Sequence, residues 1–243
     1  MKKIIIALFI TSFVFTACTT VDTANVSKIT YFPVFTISGA NPTFVKQGSP
    51  YVEPGAVAKA NGVVVPTVTT AAGQYRGTTS LNTSLSDQYL VSYSATNSDG
   101  FAGSASRIVW VYNTGDLVNS IEGLYTSTVK RGGASSAQYT NMKYILIWKN
   151  TNGKYEMTDG VGGYYNIGRG YGVTYAARPV NITANSITAN DFTVPNFSVG
   201  TFGGNAKMTG LTVNPATKKI TFTTKWDGSS NGTFDVTLTQ VQP

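Results

Sequence analysis

The sequence predicts an all-β protein of two antiparallel units in tandem, and three observations carry that prediction. Beyond residue 17 the chain is rich in Thr, Ser, Val, Tyr, Asn and Gly and poor in Leu, Glu and Lys, a composition of strand and turn formers. No stretch places apolar residues at i, i+3, i+4 and i+7 over three turns, whereas alternation of apolar and polar residues recurs throughout. A single cysteine and no histidine leave no internal disulfide to stabilise the fold, so the core must come from strand packing.

The first segment is a targeting signal rather than part of the fold. Lys2 and Lys3 precede the apolar run from Ile4 to Phe15, which is too short for a membrane-spanning helix of about 20 residues and has the form of an export signal over residues 1–17. Its end, Phe15-Thr16-Ala17-Cys18, resembles a bacterial lipobox, although Phe stands where Leu or Val is more usual. The resemblance implies that Cys18 is lipidated and becomes the mature N-terminus, with the membrane as its partner. More than one acyl chain gives stable anchoring. Residues 18–28 are small and polar and read as a flexible tether. Within them Asp22-Thr23-Ala24 resembles the short O-glycosylation motif of exported Bacteroidetes proteins, with a plain linker as the alternative.

Residues 29–114 form the first unit. Candidate strands are Ile29–Ile37, Val63–Val68, Tyr89–Ala95 and Arg107–Tyr112, and Asn97-Ser98-Asp99-Gly100 is a hairpin turn. Short antiparallel strands over this length match an Ig-like β-sandwich. The stretch Gly48-Ser49-Pro50-Tyr51-Val52-Glu53-Pro54-Gly55-Ala56-Val57-Ala58 resembles a signature of bacterial surface Ig-like domains, and Tyr93–Gly100 followed by Arg107–Val111 resembles their closing hairpin. Such domains recur in Bacteroidetes lipoproteins and in repeats of some pesticidal crystal proteins. The resemblance implies a spacer or adhesion module without catalysis.

Residues 115–243 form the second unit, a β domain of barrel or sandwich type. Candidate strands are Gly123–Lys130, Tyr144–Trp148, Lys154–Thr158, Gly172–Arg178, Ser186–Val194, Ala206–Val213, Lys219–Trp226 and Thr233–Gln240, the last two joined through Asp227–Gly232. The run Gly153–Gly160, with Gly162-Gly163-Tyr164-Tyr165 and Gly168-Arg169-Gly170-Tyr171-Gly172, resembles a C-terminal domain of unknown function found in Bacteroidetes lipoproteins directly after such an Ig-like domain. That resemblance implies a cell-envelope lipoprotein, often associated with glycan uptake, and brings no catalytic residues with it.

Composition excludes several chemistries. Without histidine there is no Ser-His-Asp or Cys-His nucleophile and no ordinary zinc site. The glycines at 160–172 lack the Gly-Lys-Ser/Thr ending of a phosphate loop. Asp227, Ser229 and Asn231 alternate like oxygen donors of a calcium loop but lack a closing acid, so a hairpin tip is expected. No cofactor or metal is expected. A glycosidase would need two carboxylates about 5–10 Å apart; Glu156 and Asp159 are the nearest pair, one in an alternating strand and the other at its closing turn. Removing Lys2 and Lys3 from a formal net charge of +7 leaves +5. That charge is scattered, with Lys130-Arg131 and Lys218-Lys219 the adjacent pairs, so no nucleic-acid partner is expected.

The strongest candidate site is aromatic. Tyr155, Tyr164, Tyr165, Tyr171 and Tyr175 crowd one glycine-rich region, with Trp148 upstream and Trp226 downstream. Ring faces can stack on sugars while Asp159, Asn166 and Arg169 bind hydroxyls; core packing of the same rings is the competing reading. Tyr164 and Tyr165 should face opposite ways if they lie in a strand. The expectation is a non-catalytic, lipid-anchored envelope protein at the outer membrane, surface-exposed in one arrangement, that holds a glycan or other surface ligand through Trp148, Tyr155, Asp159, Tyr164, Tyr165, Asn166, Arg169 and Tyr171. The alternative is a structural subunit bound to an outer-membrane protein partner such as a transporter.

Overall fold

The computed structural model describes residues 29–228 and 232–242. The signal, the tether and Cys18 lie outside them, as do Ser229 and Asn231 of the last hairpin. The chain is all-β and antiparallel apart from one parallel pair, and it forms an Ig-like sandwich followed by a second β domain.

In the first unit the strands are β1 (Val34–Ile37), β2 (Thr43–Lys46), β3 (Ala56–Ala60), β4 (Val63–Val65), β5 (Val68–Gly73), β6 (Asp87–Thr96) and β7 (Ala102–Tyr112). A three-stranded sheet β1-β3-β4 packs on a four-stranded sheet β2-β7-β6-β5. Strict alternation along β6 sends Tyr89, Val91 and Tyr93 inward, where Val109 and Val111 of β7 meet them with Val45. The expected single strand Val63–Val68 is two strands, one in each sheet, because Pro66 removes a ladder donor between them. The expected opening strand begins only at Val34. Gly55 has φ of +76° and turns the chain after Pro54, so that the fully buried Ala58 can pack against the opposite sheet.

The Tyr51–Gly55 signature also builds a polar centre between the sheets. Glu53 Oε2 accepts the Tyr51 hydroxyl at 2.6 Å, and Oε1 accepts the Tyr93 hydroxyl at 2.5 Å, Gly55 N–H at 2.9 Å and Arg107 Nε at 3.1 Å. The Arg107 side chain is fully buried and donates its remaining N–H groups to the carbonyls of Ser38 and Ala40 and, at 3.3 Å, to Thr43 Oγ1. Burial alone would raise the Glu53 carboxyl, but the Tyr51, Tyr93 and Gly55 hydrogen bonds and the Arg107 charge outweigh it and hold it below its ordinary range.

The second unit is one nine-stranded sheet curled into a half-barrel. Its strands are β8 (Gly123–Arg131), β9 (Met142–Lys149), β10 (Tyr155–Met157), β11 (Val180–Ser186), β12 (Asp191–Thr193), β13 (Phe197–Val199), β14 (Gly203–Asn214), β15 (Lys219–Trp226) and β16 (Thr233–Val241), in the order β12-β11-β10-β9-β8-β16-β15-β14-β13. The concave face carries a large core that includes Tyr125, Ile145, Ile147, Ile182, Phe222, Phe234 and Leu238. The convex face is threonine-rich, with Thr128, Thr237 and Thr221 side by side across three strands.

Two expectations fail in this unit. Gly172–Arg178 is not a strand: a 3-10 turn at Val173–Tyr175 and a single bridge from Ala177 to Val199 replace it. Strand pairing falls instead on Val180–Ser186, and Ser186–Val194 supplies only the short β12. The segment from Thr158 to Pro179 crosses the half-barrel, with no strand alongside it to complete a ladder.

Candidate functional site

The glycine-rich segment is a plug for the half-barrel. Gly162 and Gly163 have φ of +66° and +80°, the left-handed region that favours glycine. A Cβ on Gly162 would lie 2.7 Å from Val236 and 2.8 Å from Val129, so only glycine lets the backbone reach the sheet. Tyr164–Gly168 then forms a π-helical turn rather than a strand. Tyr164 and Tyr165 are therefore both buried, at 4% and 7% exposure, and do not face opposite ways.

The eight residues expected to meet a ligand separate into three places. Trp148 and Asn166 lie at the junction of the two units. Trp148 is 1% exposed and packs with Leu124 and Leu146 against Tyr75 and Trp110 of the Ig-like unit. Its Nε1 donates to Asn150 Oδ1 at 3.0 Å, the same oxygen takes Arg76 Nη2 at 3.2 Å, and the Arg76 guanidinium sits 4.8 Å above the Trp148 ring. Asn166 Nδ2 donates to the Tyr75 hydroxyl at 3.4 Å, and Arg178 donates to the Tyr75 carbonyl.

Tyr155 and Asp159 belong to the interior. Tyr155 is 2% exposed in the half-barrel core. Asp159 is fully buried; its Oδ1 accepts Val161 N–H at 2.8 Å and its Oδ2 has no hydrogen-bond partner. Burial pushes its carboxyl up to about 7, against the opposing pull of the Val161, Gly163 and Ala177 amides. Glu156, the other member of the carboxylate pair, turns away from the core, accepts from Asn150 Nδ2 at 3.3 Å and lies 3.9 Å from Arg178 Nη2. Both carboxylates thus have structural surroundings.

Of the remaining four, Arg169 and Tyr171 are exposed on a surface and Tyr164 and Tyr165 are buried beneath it. Tyr171 and Phe202 are 47% and 44% exposed, and Val118 is the only other large apolar residue exposed to that degree among the described residues of this unit. Tyr171, Tyr175 and Phe202 form a triangle with ring centroids 5.0–6.3 Å apart. Beneath it Tyr165 lies 4.8 Å from Phe202 and 6.3 Å from Tyr171, nearly parallel to the latter, and Trp226 lies 5.8 Å from Phe202. Beside it a second layer stacks Tyr139 on Tyr164 at 4.0 Å, with the Arg169 guanidinium 5.7 Å and that of Arg131 5.6 Å from the Tyr164 ring. Burial would raise the Tyr164 phenol, but Tyr139, Arg169 and Arg131 around it outweigh that and lower it.

Sequence reading missed Phe202, Tyr139 and Arg131. Phe202 is brought in by Gly200, where a Cβ would lie 2.5 Å from the Thr174 carbonyl oxygen; Thr201 Oγ1 donates to that same oxygen at 3.0 Å. An aromatic residue in the run Gly200-Thr201-Phe202-Gly203-Gly204 was the available signal. The whole cluster sits at the Arg131, Trp226 and Phe234 ends of β8, β15 and β16, the ends opposite the link to the first unit. Chemically it offers adjacent ring faces open to solvent, with an exposed guanidinium at one side.

Comparison with known proteins agrees with this architecture. The model of a bacterial surface protein Ig-like domain matches residues 35–111, and a family model for a C-terminal domain matches residues 114–240. No curated protein matches the chain. Among solved structures, the lipoprotein BT2262 from Bacteroides thetaiotaomicron is similar at 25% identity and a TM-score of 0.64, covering 86% of this chain and all of its own. The chain belongs to the family of that C-terminal domain, which it carries, as a homologue of the BT2262 lipoprotein, behind a bacterial surface Ig-like domain.

Proposed function

We propose that this envelope lipoprotein is non-catalytic, is held at the outer membrane by lipid on Cys18, and binds a glycan on the aromatic surface formed by Tyr171, Tyr175 and Phe202. The observation that carries the reading is the exposure of Tyr171 and Phe202 in a domain whose other described aromatics are buried or partly buried. Leaving two rings in water is unfavourable by the apolar area they expose, and glycines at 172 and 200 hold the segments that carry them. Two or three rings 5–6 Å apart offer stacking faces to apolar faces of sugar rings, and Arg169 supplies donors to hydroxyl or acidic groups. The Ig-like unit serves as the spacer between lipid and binding domain.

Isothermal titration of the folded protein against a polysaccharide panel tests this. Binding by at least one glycan, lost in Tyr171→Ala and Phe202→Ala but kept in Val118→Ala, is expected. A folded protein that binds no member, or whose binding survives both aromatic substitutions, removes the reading.

A further inference from the structure

The Ig-like unit exposes an apolar surface of its own, far from the aromatic cluster. At its end lie Ile29 (73% exposed), Phe32 (56%) and Phe101 (44%), joined by Tyr31, Val34 and Val63. Phe32 and Phe101 are in edge-to-face contact at 5.3 Å, and Asn97 Nδ2 donates to the Tyr31 carbonyl at 2.9 Å, so the entering chain and the β6–β7 hairpin form one continuous tip. Ile29, Tyr31 and Val63 also line a groove of about 390 Å³ together with Asn97–Asp99. On the adjoining sheet face Val34, Lys59 and Val64 stand in one cross-strand row, which places an ammonium group among exposed apolar side chains.

Contiguous exposed apolar surface of this kind marks an interaction site. Its position decides the partner. The second unit rests on Ile108, Trp110 and Tyr112, while the tip lies beyond Ala102 at the other end of β7, six residues or about 20 Å of strand away. Ile29 lies inside the patch, and only ten residues, 19–28, separate it from Cys18. The eleven steps from residue 18 to residue 29 reach at most about 40 Å when fully extended, and any looser path brings the tip closer to the lipid.

We propose that this tip is a membrane-docking surface, seated in the interfacial layer of the bilayer that holds the Cys18 lipid. Tyr31 is a side chain that favours the membrane–water interface, Phe32 and Phe101 are apolar anchors for the headgroup–acyl boundary, and Lys59 meets lipid phosphate. Asp99 at the hairpin turn keeps the insertion shallow. The lipid and the tip together act as two membrane signals, each reinforcing the other, and they fix the orientation of the spacer. This inference rests on lipidation of Cys18.

The test uses the full chain, processed and lipidated, in vesicles of phosphatidylethanolamine and phosphatidylglycerol. With Cys18 consumed, Ser98→Cys gives a unique thiol at the tip for an environment-sensitive nitrobenzoxadiazole label, and Ser135→Cys, beyond the far end of β8, gives a second position. On vesicles the label at 98 should shift its emission to the blue and be quenched by nitroxide lipids, and that at 135 should do neither. Phe32→Ser with Phe101→Ser should keep the protein on the vesicles and lose the quenching. An anchored chain with an unquenched label at 98, or equal quenching at both positions, overturns the proposal. So does a signal that depends on protein density, which would mean that a second copy covers the tip. Failure of the unsubstituted chain to float with the vesicles overturns the anchor itself, and docking with it, and is distinguished from the first outcome by the flotation step.

Discussion

At the scale of single residues, Asp159 shows how a carboxylate in a functional-looking motif can be a liability of the fold. Sealed at the base of the plug with one oxygen unpaired, it is most compatible with the folded state when neutral. A carboxyl raised from 3.8 to about 7 means that its ionisation in the folded chain costs up to about 4 kcal/mol. Below pH 3.8 both folded and unfolded chains hold the proton, so no penalty applies. Between pH 3.8 and 7 the unfolded chain ionises first and its contribution to stability falls as pH rises; above 7 the loss levels off. Asp159→Asn, which mimics the neutral acid in shape, should match the parent near pH 4 and exceed it at pH 8. Chemical denaturation across that range checks this, and parallel pH profiles for the two proteins would refute it. Arg107 is the opposite case, a charge that burial requires to stay paired. Replacing it with Ala leaves Glu53 without its cation and the Ser38 and Ala40 carbonyls without donors, and should cost about 3–5 kcal/mol. The midpoint of urea unfolding reads that loss.

At the scale of elements, the shape of the aromatic surface depends on backbone that only glycine provides. Gly200→Ala would bring a Cβ within 2.7 Å of the Tyr175 backbone as well as onto the Thr174 carbonyl, and would push the Phe202 turn away from Tyr175. Such overpacking costs about 1–3 kcal/mol, and glycan affinity should fall with it. Gly210→Ala shares the positive φ but has open space around its Cβ, so it should lose stability from backbone strain alone and keep affinity. Equal effects of the two on affinity would remove the argument. The elements themselves were legible wherever alternation met a paired neighbour. Lys219–Trp226 and Thr233–Gln240 fall within a residue of β15 and β16 because each has a partner strand on both sides. Val173, Tyr175 and Ala177 alternate just as well, yet Val173–Tyr175 is a 3-10 turn and Ala177 makes a single bridge to Val199, because Gly170 and Gly172 take φ of +68° and +88° and turn the chain before a ladder can form. The tyrosine-rich segment stands out in the sequence as a concentration of rings among glycines. Its division into plug, junction and surface was not legible, since Trp148 and Asn166 are claimed by Tyr75 and Trp110, residues that no local pattern connects to them.

At the scale of the whole molecule, the junction makes one body of two units. The outer face of β7, through Ile108, Trp110 and Tyr112, meets the outer face of β8 and β9, through Leu124, Leu146 and Trp148, and the cluster is buried. Polar contacts surround it: Arg76 reaches Asn150, Arg178 reaches the Tyr75 carbonyl, and Asn113 Nδ2 donates to Glu122 Oε2 at 3.2 Å. The loop that carries Tyr75 and Arg76 is itself held by Asp87, whose two carboxylate oxygens each accept one of their N–H groups at 3.0 Å. A flexible joint would let the second domain wander, whereas this junction transmits the orientation of the Ig-like unit to the aromatic surface. Trp110 is the side chain to remove, because it stands on the outer face of β7 and is 4% exposed, so its burial comes from the junction. Truncating a buried Trp costs about 3–5 kcal/mol, here drawn mainly from the coupling between the units. Calorimetry of the unsubstituted chain should therefore show one cooperative transition, and Trp110→Ala should separate it into two while leaving glycan binding in place. Two transitions in the parent would mean that the units are joined by the link alone, and the rigid junction would have to be abandoned; a single lowered transition in the variant would mean that the coupling does not depend on Trp110.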